Sequence, residues 1–180
     1  MRCFIAVEMS NDAVLGCLRE LGKVGAALRL VSPENLHLTL KFLGEVKEEL
    51  IPEVNASMEE PLHDFEPFNT TLKALGTFPS LSYMRVVWVG IEKNRDKLIE
   101  VQRNLDKSLI KLGFRRDKRF DPHLTIARVK SPKGKDKLRS FITAQRGRNF
   151  GEVRVEKVEL KKSVLTPRGP IYTTITAHEL

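Results

Sequence analysis

Cysteine is scarce in this chain of 180 residues, and long apolar runs are missing. Cys3 and Cys17 are too few for a disulfide framework and form no CxxC motif. They could pair with each other, but we expect two small core residues in a reducing compartment. No stretch approaches the roughly 20 apolar residues of a membrane span, and the apolar run at residues 3–7 is too short for a signal peptide. We therefore expect a cytoplasmic protein without membrane contact.

Motifs for metal ions and nucleoside triphosphates are also missing. The chain has no HExxH sequence, no Cys/His spacing typical of zinc, and no P-loop or nucleotide-binding lysine motif. These absences argue against the common metallohydrolases and against ATP-driven ligases.

Positive charge is concentrated in the second half of the chain. Residues 1–90 contain 8 Lys/Arg against 12 Asp/Glu, whereas residues 91–180 contain 23 against 11. The basic residues cluster at 115–119 and again between 130 and 148. A single cluster of this kind is often only a solvated surface. The asymmetry between the halves nevertheless favours a polyanionic partner such as RNA or DNA.

One tetrad occurs twice, as His37-Leu38-Thr39-Leu40 and as His123-Leu124-Thr125-Ile126. Each copy lies in an apolar/polar alternation typical of a half-buried strand, so the His and Thr of one copy share a face. Two such strands side by side would bring two imidazoles and two hydroxyls to one small ligand. This combination suits acid–base chemistry on a phosphate.

Both halves predict the order strand, helix, tetrad strand, helix, strand. The helix with apolar residues at 98, 101, 105, 109 and 112 has the cleanest stripe. Equivalent elements recur after about 82 to 86 residues, which indicates an internal duplication over approximately 1–80 and 81–180 within one domain. We predict an α+β fold of two pseudo-symmetric lobes. Each lobe would be an antiparallel-rich sheet with helices on its outer face, and a cleft would separate the sheets.

The two tetrads resemble the paired His-x-Thr-x motifs of the 2H phosphoesterase superfamily. Within it, the chain is similar to the bacterial and archaeal RNA 2′,3′-cyclic phosphodiesterases, first known as 2′-5′ RNA ligases. The opening Arg2-Cys3-Phe4-Ile5-Ala6-Val7, the segment Val87-Trp88-Val89-Gly90, and Leu165-Thr166 before Tyr172 fit the same family. The likeness covers nearly the whole chain.

The resemblance implies hydrolysis of RNA 2′,3′-cyclic phosphate ends to 2′-phosphomonoesters. It gives His37 the role of proton donor and His123 that of proton acceptor, with no metal or cofactor. Thr39 and Thr125 would donate to the non-bridging oxygens, whose charge grows toward the transition state. The expected partner is RNA with cyclic phosphate ends, as in tRNA fragments, or a nucleoside cyclic phosphate. We expect a monomer.

Three further charged residues lie near the tetrads in the sequence. Arg128 resembles an arginine that assists phosphate binding in the family, but strict alternation puts it opposite His123 and Thr125. It reaches the phosphate only if the strand bulges or ends there. Lys41 is predicted beside His37, either adding charge or solvated at a strand end. Asp121 is the nearby acid that could orient the His123 ring.

Aromatic residues are the natural platforms for a nucleobase. Strict alternation assigns Phe42 to the core, which leaves Phe78, Phe120 and Tyr83 in predicted loops as candidates. Two other functions stay open. One is a non-catalytic RNA- or nucleotide-binding module that uses the same cleft, although binding does not require two titrating groups. The other is end-joining of tRNA halves through a 2′-5′ linkage, expected only as a weak side activity.

Overall fold

Strands and helices alternate along the chain in the computed structural model, which describes residues 1–180. The strands are β1 (Arg2–Glu8), β2 (Leu28–Leu30), β3 (His37–Glu45), β4 (Phe68–Pro79), β5 (Met84–Ile91), β6 (His123–Val129), β7 (Asn149–Val155), β8 (Lys157–Thr166) and β9 (Gly169–Glu179). The helices are α1 (Asp12–Gly22), α2 (Ile51–Leu62), α3 (Arg95–Ile110) and α4 (Lys135–Ala144). None of these helices combines the length and apolar character needed to span a membrane.

Local sequence signals explain several of these elements. Asn11 caps α1, since its side-chain oxygen accepts a hydrogen bond from the backbone N–H of Val14 at 2.9 Å. In α3, Leu98, Leu105 and Leu109 of the predicted stripe are fully buried. The three-residue strand β2 was not predicted, because a segment this short has too little alternation to be recognised.

Two antiparallel sheets form the frame, which confirms the predicted α+β class. One has the strand order β3-β1-β8-β9 and the other β2-β6-β5-β4-β7. Helices α2 and α3 pack together and contact β9 and β3, whereas α1 contacts β2 and β7 and α4 contacts β4. Each sheet is thus covered by two helices and combines strands from both halves of the chain.

The apolar faces of the sheets and helices form one contiguous buried cluster. Cys3 and Cys17 belong to it and are unpaired, as predicted. Burial raises the pKa of the Cys17 thiol to about 11, so this residue behaves as a small apolar side chain. The opposite sheet faces are less buried, and the two tetrad strands, β3 and β6, contact each other.

Candidate active site

His37 and His123 each stand at the first position of a strand, β3 or β6, and each ring is held in the same way. Nδ1 of His37 lies 2.6 Å from the backbone oxygen of Asn35, and Nδ1 of His123 lies 2.6 Å from that of Asp121. A carbonyl oxygen can only accept, so Nδ1 is the donor in both rings. Nε2 is therefore the nitrogen that gains or loses a proton in each imidazole.

Asp121 orients His123 through its backbone oxygen, not through its carboxylate. The carboxylate is paired with Arg95 at the start of α3. Asn35 occupies the same place before His37, and its side-chain amide donates to the backbone oxygen of Pro170 at 3.1 Å. Sequence reasoning missed Asn35, because strand alternation says nothing about a carbonyl two residues upstream.

Aromatic rings pack against both imidazoles. Phe4 from β1 and Tyr172 from β9 have ring centroids 5.0 and 5.2 Å from that of His37. Phe78 from β4 lies 5.0 Å from the ring of His123 and meets it edge-on. These contacts shield part of each imidazole from water and restrict its rotation.

Phe78 is thus the base-platform candidate that contacts a tetrad histidine, although it lies in β4 and not in a loop. Tyr83 is exposed in the turn between β4 and β5, and Phe120 is half-buried before β6. Neither ring contacts His37 or His123.

The tetrad threonines share a face with their histidines, as predicted. Thr39 and Thr125 are half-buried, whereas Leu38 and Leu124 beside them are fully buried. The Thr39 hydroxyl lies 3.1 Å from Nε2 of His37. A hydroxyl so close to the titrating nitrogen would meet the same ligand as the imidazole.

Both tetrad strands contain a one-residue irregularity just after the threonine. The pairing of β3 with β1 skips Leu40, and the pairing of β6 with β5 skips Ile126. Each strand consequently buries two residues in succession, Leu40 with Lys41 and Ile126 with Ala127. The next residue, Phe42 in β3 and Arg128 in β6, returns to the face of the tetrad histidine, because a bulge shifts the alternation by one position.

Arg128 is the residue that the bulge in β6 returns to the face of His123. Its charge lowers the pKa of His37 and opposes the burial that raises the pKa of the Tyr172 hydroxyl. His37 and Tyr172 belong to the other sheet, so these effects act from one sheet to the other. The condition that the sequence set for Arg128, a bulge, is met.

The bulge in β3 makes two predictions from strict alternation wrong. Lys41 is buried on the face opposite His37, not beside it. Phe42, assigned to the core, is 69% exposed, and its ring lies 6.4 Å from that of Phe4, which packs on His37. Phe42 thus occupies in β3 the position that Arg128 occupies in β6.

Known proteins share sequence and fold with this chain. A family model described as the 2′-5′ RNA ligase superfamily matches residues 24–164. The chain belongs to this superfamily. It is 39% identical to the RNA 2′,3′-cyclic phosphodiesterase of Methanothermobacter thermautotrophicus over 183 residues, covering 100% of this chain and 99% of that protein. It is 40% identical to the enzyme of the same name from Archaeoglobus fulgidus, covering 99% and 100%.

Solved structures with the same fold include proteins from two bacteria. TT0787 of Thermus thermophilus superposes with a TM-score of 0.80 at 31% identity, over 100% of this chain and 98% of that one. Escherichia coli LigT, solved with 3′-AMP, superposes with a TM-score of 0.77 at 26% identity, over 99% and 97%. The whole chain therefore has the architecture seen in these proteins.

A cluster of charged residues lies beside His37, and the sequence did not predict it. Nζ of Lys161 lies 2.7 Å from carboxylate oxygens of both Glu8 and Glu159, and 3.2 Å from the Thr174 hydroxyl. Burial alone would lower the pKa of Lys161, but its hydrogen bonds with Glu159 and Glu8 raise it, so the lysine stays charged. Charged residues inside otherwise apolar strands were the signal that could have indicated this cluster.

The surroundings of His37 combine to favour its neutral form. Burial lowers its pKa most, and the positive charges of Lys161 and Arg128 act in the same direction. The carbonyl of Asn35 and the carboxylate of Glu8 oppose this effect. A bound anion would shift the balance back, because a negative charge nearby favours imidazolium.

A groove of about 500 Å³ opens beside the tetrad of β6. It is lined by Phe78, Pro79, Arg85, Val86, Arg128 and Val129. Its size falls within the range of small-ligand sites. No group of three or more His, Cys, Asp or Glu side chains is placed to hold a metal ion.

Proposed function

We propose that the chain hydrolyses RNA 2′,3′-cyclic phosphate ends to 2′-phosphomonoesters, with His37 and His123 as acid and base. The observation that supports this most is the matched pair of imidazoles. Each donates through Nδ1 to a carbonyl two residues upstream, at 2.6 Å, and so keeps Nε2 for proton transfer. The names of the relatives that match the full chain support the same reaction.

The proposed reaction is a single in-line displacement. Nε2 of neutral His123 takes a proton from water as the water oxygen attacks phosphorus. The bond from phosphorus to the ribose 3′ oxygen breaks, and protonated His37 gives its proton to that oxygen. The 2′-phosphomonoester leaves, and exchange of protons with solvent resets both imidazoles. The direction, with His37 as donor, follows the family resemblance.

The non-bridging oxygens need hydrogen-bond donors that are already in place. Thr39, Thr125 and Arg128 lie on the tetrad faces of the two strands and would supply them. The phosphate would in turn raise the pKa of His37, which burial lowers in the free protein. Substrate would thus help to create the acid that its own cleavage requires. The groove beside Arg128 would receive the terminal nucleoside.

The test is hydrolysis of an RNA that ends in a 2′,3′-cyclic phosphate, in the presence of a metal chelator. We expect a 2′-phosphate from the wild type and a loss of about 10²- to 10⁴-fold in kcat/KM for His37→Ala and for His123→Ala. His63→Ala is the matched control, since His63 is exposed at the end of α2.

The possible results separate the alternatives. A 3′-phosphate product would reverse the leaving group and with it the roles of the two histidines. Tight binding of the RNA end without turnover would identify a binding module instead. Formation of 2′-5′ linkages is expected only weakly, as the reverse reaction of the same site.

A further inference from the structure

The loop between α3 and β6 carries a concentration of positive charge. Arg115, Arg116, Lys118 and Arg119 are all exposed, and none of the four forms an ion pair. We call residues 115–119 the basic loop. Its four cations are available to a polyanion, because no carboxylate of the chain neutralises them.

A network with three buried members, Lys41, Gln102 and Asp106, fixes the start of this loop. Nζ of Lys41 donates to Asp106 at 2.5 Å, to Asp117 at 3.2 Å and to the backbone oxygen of Arg115 at 2.9 Å. The side-chain amide of Gln102 also donates to the Asp117 carboxylate, at 3.0 Å. We call Lys41, Gln102, Asp106 and Asp117 the Lys41 clamp.

The clamp holds the loop backbone from two sides. The backbone N–H of Asp117 donates to the Asp106 carboxylate at 3.2 Å, while Lys41 holds the carbonyl of Arg115. The side chains of Lys41 and Asp106 are only 1% and 8% exposed. A buried ion pair adds little net stability relative to apolar packing, so its clearest effect is to define the position of the loop.

The basic loop leads directly from the clamp to the cleft. Arg119 precedes His123 by four residues, so at most about 14 Å of extended chain separates them. Arg115 precedes it by eight residues, which corresponds to at most about 28 Å. Lys41 itself follows Thr39 by two residues in β3. The clamp thus connects the tetrad strand of one sheet to the loop that enters the tetrad strand of the other.

We propose that the basic loop binds the backbone phosphates of single-stranded RNA on the 5′ side of the reacting end, and that the Lys41 clamp positions it. The choice of RNA rests on the proposed function, since a 3′-terminal cyclic phosphate leaves the rest of the strand extending from the cleft. Guanidinium and ammonium groups in a row suit this ligand, because backbone contacts require charge but no base sequence. Lys41 acts here as a positioning residue and does not touch the RNA.

The first test removes charge from the basic loop. Binding of a 5′-fluorescent RNA dodecamer with a 3′-hydroxyl end is followed by anisotropy over a range of salt concentrations. For the variant R116Q/K118Q we expect Kd to rise about tenfold and the slope of log K against log salt to fall by about 1.4, or about 0.7 per lost phosphate contact.

The matched control is K23Q/K47Q, which removes the same charge from two exposed lysines that form no ion pair. Lys47 follows β3 at the end opposite His37. We expect its Kd to stay within about twofold of the wild type. Equal losses in both double variants would indicate a general effect of charge and would overturn the proposal, as would an unchanged Kd in R116Q/K118Q.

The second test separates position from charge. Asp117→Ala makes the protein more positive, so charge alone predicts tighter binding of RNA. Loss of the clamp predicts weaker binding, and we expect Kd to rise several-fold. Asp117→Asn keeps an oxygen acceptor for Lys41 and should bind more tightly than Asp117→Ala. Lys41→Met is less suitable, because it would leave the buried carboxylate of Asp106 unpaired. A lower or unchanged Kd for Asp117→Ala, in a protein that is folded at the assay temperature, would refute the role of the clamp.

Binding to a 3′-hydroxyl RNA does not depend on catalysis, so the two proposals fail separately. Turnover of cyclic phosphate with normal RNA binding by R116Q/K118Q would reject the basic loop alone. RNA binding that depends on the loop, without any turnover, would reject the catalytic proposal alone.

Discussion

A glycine in β4 provides the sharpest test of how the site is supported. Gly76 lies opposite Trp88 of β5, and the indole covers the glycine. A Cβ at Gly76 would lie 2.1 Å from Cζ2, 2.2 Å from Cη2 and 2.7 Å from Cε2 of Trp88. Ordinary contacts between carbon atoms are about 3.5 Å or longer, so Gly76→Ala forces the indole to move by more than about 1 Å.

The displaced indole would disturb His123 through one intermediate ring. Trp88 packs on Phe78 with ring centroids 5.1 Å apart, and Phe78 packs edge-on against His123. Overpacking of this kind costs about 1–3 kcal/mol, which corresponds to a fall in Tm of about 2–4 °C per kcal/mol for a chain of this size. A displacement near 1 Å at His123, the proposed base, is expected to lower kcat/KM by up to about 10²-fold.

Three measurements check this prediction on one protein sample. Thermal unfolding gives the loss of stability, and hydrolysis of a nucleoside 2′,3′-cyclic phosphate gives the loss of activity. Trp88 is the only tryptophan, so its fluorescence reports directly on the displaced ring. The control is Gly16→Ala in α1, where a Cβ meets nothing closer than 3.8 Å. This control should gain about 0.5–1 kcal/mol, because glycine destabilises a helix interior. Gly76→Ala with wild-type Tm, activity and emission would refute the reasoning.

Further predictions concern the charges around His37. In the proposed reaction, the alkaline limb of the pH profile of kcat/KM reports the His37 acid. Arg128→Gln removes a positive charge that lowers the pKa of His37, so the alkaline limb should move to higher pH. Glu8→Gln removes a negative charge that raises the pKa of His37, so the same limb should move to lower pH. Shifts in the same direction for both variants, in a pH titration of initial rates, would contradict this assignment. Lys161→Met removes one of the two lysines that pair with the buried carboxylate of Glu159. Because Lys157 stays 2.7 Å from that carboxylate, the loss in denaturant unfolding should be about 1.5–3 kcal/mol. The double variant K161M/E159Q should recover part of this loss, and a double variant less stable than K161M would show that the ion pair is not the cause.

The order of elements also bears on the origin of the chain. We infer an internal duplication over approximately 1–80 and 81–180, in which β1 and β3 correspond to β5 and β6. The sheet orders support this inference, since β3 pairs with β1 as β6 pairs with β5. The strand on the other side of β1 or β5 is exchanged between the halves, β8 in one sheet and β4 in the other. Such an exchange follows no local pattern, and so the sequence predicted two lobes without predicting which strands each lobe contains.

The sequence was sufficient for features that depend on near neighbours along the chain. Alternation located the tetrads on strands, because side chains two apart always share a face of a regular strand. The stripe of α3 and the cap of α1 were readable for the same reason, since helix geometry repeats locally. The resemblance carried by His37, Thr39, His123 and Thr125 indicated the family.

Tertiary structure decided the features that depend on a partner strand. The bulges at Leu40 and Ile126 arise where one strand must pair with another, and one extra residue reverses the facing of everything after it. Arg128 thereby joined the face of His123, Phe42 left the core and Lys41 became buried. The clamp that joins Lys41 to a loop more than 70 residues away likewise exists only once distant segments are brought into contact.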